Sequence, residues 1–161
     1  IPRDVMNEDE VRLIMEQPDI RDRVGYRDRC IMEVLYSTGV RNSEACDIKL
    51  ADVSLHRREI KVVCGKGGKA RIVPLNQVAI RFIEGYLKRV RPYLVNDERE
   101  DHLFVRKHGR KMDIGSLAYM IRKYRQYAKL TKKISPHSFR HTMATQLLDN
   151  GMNVRYIQTI L

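Results

Sequence analysis

Between Glu59 and Leu75 the apolar residues change their spacing, and this restricts the possible folds more than any other feature of the chain. Ile60 and Val62 on one side, and Ile72 and Val73 on the other, flank the run Gly65-Lys66-Gly67-Gly68-Lys69. Two short apolar runs joined by a glycine-rich segment read as a β-hairpin, here with a basic tip. Most of the remaining chain carries the spacing of helices. The fold class that follows is α/β, mainly helical with a small antiparallel sheet.

The helices can be placed from their caps. Asn7 and Glu10 have the spacing of a capping box, and Val11, Leu13 and Ile14 form the apolar side of a first helix. A second helix is expected from about Asp22 to Ser37, with Cys30, Ile31, Val34 and Leu35 inward and Gly39 as its stop. A short helix through Ser43 to Asp47 follows, which leaves Arg41 on the bend between two helices. A further helix fits Asn76 to Arg91, stopping before Pro92, and polar residues from Asn96 to Asp101 read as a surface loop. Leu103-Phe104-Val105 reads as a short strand turned by Gly109, and Asp113 begins a helix carrying Leu117, Ile121 and Tyr124. Phe139, Met143 and Leu147 have the spacing of an inward stripe on a helix that Gly151 ends, and Asn153 caps a last one. With no repeat and no composition break, the chain is read as one domain over residues 1–161.

A formal charge of +11 points to a polyanionic partner, and an apolar content of 43% excludes a disordered basic tail. No apolar run approaches transmembrane length and no signal peptide is visible, so nucleic acid is favoured over a membrane surface and the compartment is read as cytoplasmic. Cys30, Cys46 and Cys64 have no metal-ligand spacing; they are read as reduced thiols, with no metal site expected.

The chemistry concentrates in Ser135-Pro136-His137-Ser138-Phe139-Arg140-His141-Thr142. Ser135 is a good N-cap and Pro136 suits a first helical turn. His137 and Arg140 stand three residues apart on one helix face, at a helix N-terminus that itself favours an anion. A phosphate is the object such a face would hold.

Taken with Ser37-Thr38-Gly39-Val40-Arg41-Asn42-Ser43-Glu44 and with Gly65-Lys66-Gly67-Gly68-Lys69-Ala70-Arg71-Ile72-Val73-Pro74-Leu75, this segment makes the chain resemble the catalytic domain of the tyrosine recombinases, the phage-integrase and Xer-like family. Order, spacing and local structure agree over essentially the whole chain. The resemblance implies the fold of that domain and a site-specific DNA recombinase that cuts and rejoins strands through a 3′-phosphotyrosyl intermediate. It implies that Arg41 and Arg140 clamp the scissile phosphate, a task for which paired guanidinium forks suit a phosphodiester gaining charge. By the same resemblance Lys66 is the general acid toward the leaving 5′ oxygen, and His137 assists proton transfer or hydrogen-bonds the phosphate. Lys69 and Arg71 are expected at the DNA backbone, His141 in support of the site, and Glu44 in orienting an arginine or satisfying local backbone.

The family's later Gly-His pair and nucleophilic tyrosine do not occur before Leu161, and Tyr156 lies too early to take that role. Tyr119, Tyr124 and Tyr127 fall within helical patterns and are read as packing or DNA-facing residues. The chain therefore reads as a catalytic domain without its N-terminal core-binding domain and C-terminal nucleophile segment. It is expected to bind double-stranded DNA without cleaving it alone, and to be monomeric without DNA. The full-length protein is expected to act as a homotetramer on paired sites, with no cofactor. The alternative is a catalytically silent DNA-binding module of the same fold. A helix-turn-helix regulator would have no place for the hairpin or the His/Arg pair.

Overall fold

In a computed structural model, residues 5–64 and 68–151 are described. The helices begin where short polar side chains can cap them. Asn7 accepts from the Glu10 N–H at 2.8 Å and Glu10 returns to the Asn7 N–H, opening α1 (Glu8–Met15). Asp22 caps α2 (Arg23–Thr38), Asn76 caps α4 (Gln77–Arg89) and Asp113 caps α6 (Ile114–Tyr127), each through a side-chain oxygen to a backbone N–H three residues on. Between these lie α3 (Asn42–Asp47) and α5 (Arg91–Leu94), and α7 (Pro136–Asp149) follows.

Helix α2 is the axis of the core. Cys30, Ile31, Met32, Val34 and Leu35 are all buried, so it is apolar on more than one face, as a helix packed on several sides must be. It lies against both α4 and α7. A charged pair is built into this core. Arg27 binds Asp28 at 2.8 Å and the Val105 carbonyl at 3.2 Å, while Tyr124 donates to Asp28 at 2.6 Å. Both charges of the pair are thus partnered, as burial requires. The segment before α1 meets α7 where the Met6 N–H donates to Thr142 Oγ1 at 3.0 Å.

The sheet has the order β1-β2-β3, all antiparallel, from β1 (Val53–Ser54), β2 (Glu59–Cys64) and β3 (Lys69–Pro74). Its register pairs Ile60 with Val73, Val62 with Arg71 and Cys64 with Lys69. Successive strand residues point to opposite faces. These pairs share the face that holds buried Ile60, Val62 and Val73, whereas Lys61, Val63, Ala70 and Ile72 face outward. The expected mainly helical α/β fold with a small antiparallel sheet is the observed one.

Three local expectations need correction. Pro92 does not end the structure of its region: the chain turns at Val90 and Pro92 lies in the first turn of α5, where its missing N–H costs nothing. Leu103-Phe104-Val105 is buried but forms no strand, only flanking bridges from Lys49 to His102 and from Val105 to Lys111. Its backbone groups are shared between backbone and side chains: the Leu103 N–H donates to Ile48 O at 2.8 Å and the Met112 N–H to Phe104 O at 3.0 Å. Tyr86 donates to the Leu103 carbonyl at 2.8 Å and accepts from the Val105 N–H, and the Arg91 guanidinium donates to the carbonyls of Glu100, His102 and Leu103. Strand β1 is an addition, two residues long and without a periodic signal. Asn153 and the helix expected after it lie outside the described residues.

Candidate active site

The connection between α2 and α3 places the first arginine. Gly39 takes the left-handed conformation (φ 66°) and its N–H caps α2 by donating to Leu35 O at 2.9 Å. Two residues on, Arg41 is the extended N-cap of α3 with its side chain exposed. The Arg41 N–H donates to Glu44 Oε1 at 2.9 Å, so the carboxylate is folded back onto the start of its own helix.

Two more arginines arrive from distant segments. On α7, Arg140 Nη1 donates to the Gly39 carbonyl at 3.1 Å and stands 4.0 Å from Glu44 Oε1. On β3, Arg71 binds Glu44 with both forks, Nη1 to Oε2 at 2.7 Å and Nη2 to Oε1 at 3.0 Å, and Nη1 also reaches Cys64 Sγ at 2.7 Å. Arg71 and Arg140, remote in sequence, thus meet at one carboxylate, while Arg41 reaches it through its backbone N–H and its guanidinium is near enough to act on Arg140.

The electrostatics follow from that crowding. Burial pushes the Glu44 carboxyl up, but the Arg71 hydrogen bonds and the Arg41 N–H outweigh it and hold the group below its ordinary value. The hydrogen bonds to Glu44 raise Arg71. Arg140 is lowered, first by burial and then by the like charge of Arg41, with Arg71 adding to it and Glu44 opposing. Three guanidinium groups against one carboxylate leave an excess of positive charge, an arrangement that an added anion relieves.

Helix α7 carries the two histidines beside this cluster. His137 is exposed in its first turn, and its ring centroid lies 3.9 Å from that of His141, with the planes at 64°. The turn is braced by the Ser135 N–H donating to Ser138 Oγ at 2.9 Å. Phe139 and Met143 are buried and Leu147 is half-buried, so the apolar stripe seats the helix with Arg140 toward α3. Lys69 is exposed at the turn end of the hairpin, paired across the ladder with Cys64. Lys66 lies outside the described residues.

Arg71, expected at the DNA backbone, has a side chain 14% exposed and bound to Glu44. Cys64 and the Gly39 carbonyl are further members that sequence reasoning missed. The alternation of β2 and β3 carried a signal for Cys64, because residues 64, 71 and 69 share a face; a carbonyl acceptor leaves no trace in sequence. Among the described residues, one grouping has metal-ligand spacing, Glu100, Asp101 and His102, and none of these belongs to the arginine cluster. Among those residues no helix is long and apolar enough to cross a membrane.

The family model described as Phage integrase family matches residues 4–161. The chain belongs to the phage integrase family. Among its family relatives, the tyrosine recombinase XerD of Staphylococcus saprophyticus is 39% identical over 158 residues, covering 98% of this chain and 53% of that protein. The XerD of Staphylococcus epidermidis is 38% identical over the same length. The chain therefore spans about half the length of the curated relatives it matches. The crystal structure of XerA recombinase superposes with a TM-score of 0.87 at 36% identity, covering 98% of this chain and 55% of that one. XerH site-specific recombinase bound to its difH substrate shares the fold, with a TM-score of 0.84 at 24% identity, over 100% of this chain and 47% of that one.

Proposed function

We propose that this chain is the catalytic domain of a tyrosine-type site-specific DNA recombinase and supplies the groups that activate the scissile phosphate. The observation that carries the reading is the convergence of Arg41 and Arg140, from opposite ends of the chain, beside the exposed first turn of α7. Family membership and the DNA-bound state of the XerH relative support it.

In this reading a tyrosine hydroxyl of the longer protein attacks phosphorus, a phosphotyrosyl bond forms at the 3′ side, and the bond to the 5′ oxygen breaks. Arg41 and Arg140 take the charge that grows on the non-bridging oxygens. Lys66 protonates the departing 5′ oxygen, and His137 holds the phosphate or passes a proton, with His141 packed behind it. The 5′ hydroxyl of a partner strand then reverses the reaction, so the phosphodiester bond energy is kept and neither ATP nor a metal is called for. Lys69 meets the DNA backbone. Two duplex sites are paired by four protomers, in the cytoplasm with the DNA.

The test uses the full-length gene product and a nicked suicide duplex built on the sequence it selects from a random library. A covalent protein–DNA complex is expected from the wild type. Arg140→Ala should abolish it, by roughly 10²-fold or more, as for loss of one anion-stabilising donor, while DNA affinity changes little. Affinity and reaction lost in parallel, or no covalent complex from the wild type, would make this a DNA-binding module instead.

A further inference from the structure

We propose that Arg71 is a positioning residue, which holds the Glu44 carboxylate and thereby leaves Arg140 turned to the substrate phosphate. The inference rests on the recombinase reading above. Glu44 is buried, and a buried carboxylate takes the nearest cation it can reach. Two guanidinium groups are within range. Arg71 has the bidentate geometry, at 2.7 and 3.0 Å, while Arg140 Nη1, donating to the Gly39 carbonyl at 3.1 Å, stands 4.0 Å from the same Oε1. Without Arg71, a small rotation would bring Arg140 onto Glu44 and away from the phosphate.

The strand register explains why Arg71 suits this task. It lies between exposed Lys69 and buried Val73 on the inward face of β3, so it is the enclosed position nearest the hairpin tip. Its contacts to Cys64 Sγ and Glu44 join the tip-proximal end of the hairpin to α3. The hairpin and the arginine pair are therefore tied through a single guanidinium. Lysine could supply the charge but not the fork.

The prediction is non-additive. In the full-length gene product, Arg71→Ala should slow formation of the covalent complex at saturating duplex by about tenfold, the usual size of coupling between contacting residues. Adding Glu44→Gln should restore much of that rate, because the neutral amide no longer competes for Arg140 yet still accepts from the Arg41 N–H. Arg71→Lys should fall between wild type and Arg71→Ala, and it keeps a charged partner for Glu44 should the alanine variant fold poorly. A backbone contact by Arg71 predicts another pattern: weaker DNA binding, a salt slope reduced by about one, and no rescue by Glu44→Gln. That pattern, or equal rates for the single and double variants, overturns the proposal.

A second readout needs no cleavage. In ¹⁵N spectra of the protein without DNA, the Arg140 Nε–H signal should move in Arg71→Ala and return in the double variant. If the wild type forms no covalent complex, the recombinase reading fails on its own, and this signal decides the role of Arg71. An unmoved Arg140 signal overturns it.

Discussion

Glu44 shows how one side chain can be read twice over. Its glutamate identity three residues after Arg41 suggests a local cap, which it is, but its strongest partner lies 27 residues away on β3. The depressed carboxyl has a consequence for stability. A group whose folded value lies below its unfolded one adds stability above the ordinary glutamate value, about 4.3, and loses it as pH falls through the folded value. The stability difference between wild type and Glu44→Gln should therefore be largest near neutral pH and shrink as pH falls below the ordinary glutamate value, about 4.3, through the lower folded one. Urea midpoints of both proteins at each pH measure this, and a gap that stays constant would count against an ionised Glu44. Arg41 and Arg140 were legible as a pair only through the family pattern. Nothing in spacing or composition states that Arg71 and Arg140, so far apart, meet at the Glu44 carboxylate.

At the level of elements, short polar caps were the most readable signals. Asn7, Asp22, Asn76 and Asp113 each start a helix as their chemistry suggests, because a cap is settled within four residues. Elements that depend on distant partners were not readable. The buried 103–105 segment looks like a strand, yet Arg91 and Tyr86 satisfy it from two helices. Proline 92 has two lawful positions, after a helix or at the start of one, and only the fold chooses. One helix junction offers a direct test. A Cβ on Gly25 would lie 2.1 Å from the Asp19 carbonyl oxygen, which is backbone and cannot swing aside. Gly25→Ala should cost about 1–3 kcal/mol through overpacking. By contrast, Gly115→Ala in α6 meets only the Asp113 carboxylate at 3.6 Å and should be neutral or stabilising. Chemical denaturation of the two variants makes the comparison, and equal losses would refute the packing argument.

Over the whole molecule, the formal charge of +11 favours a polyanionic partner, which is DNA in the proposed reading. If four or more phosphates are neutralised, affinity should fall about a hundredfold or more between ~50 and ~200 mM salt. Fluorescence anisotropy with duplexes of unrelated sequence would measure it, and a flat response would exclude a phosphate-tracking surface. The overall balance of helix and sheet was legible because it rests on periodicity, which is local. The assembly of the site was not, since it depends on how α2, β3 and α7 pack.

That assembly also bears on the protein's synthesis. The Gly39 carbonyl waits for Arg140, and Met6 waits for Thr142, so both ends of the folded unit must be present together. While the ribosome still holds α7, a nascent chain has Arg41, Glu44 and the hairpin but no second clamp. In the proposed reading, the phosphate clamp is therefore complete only once α7 has docked against the α2–α3 connection.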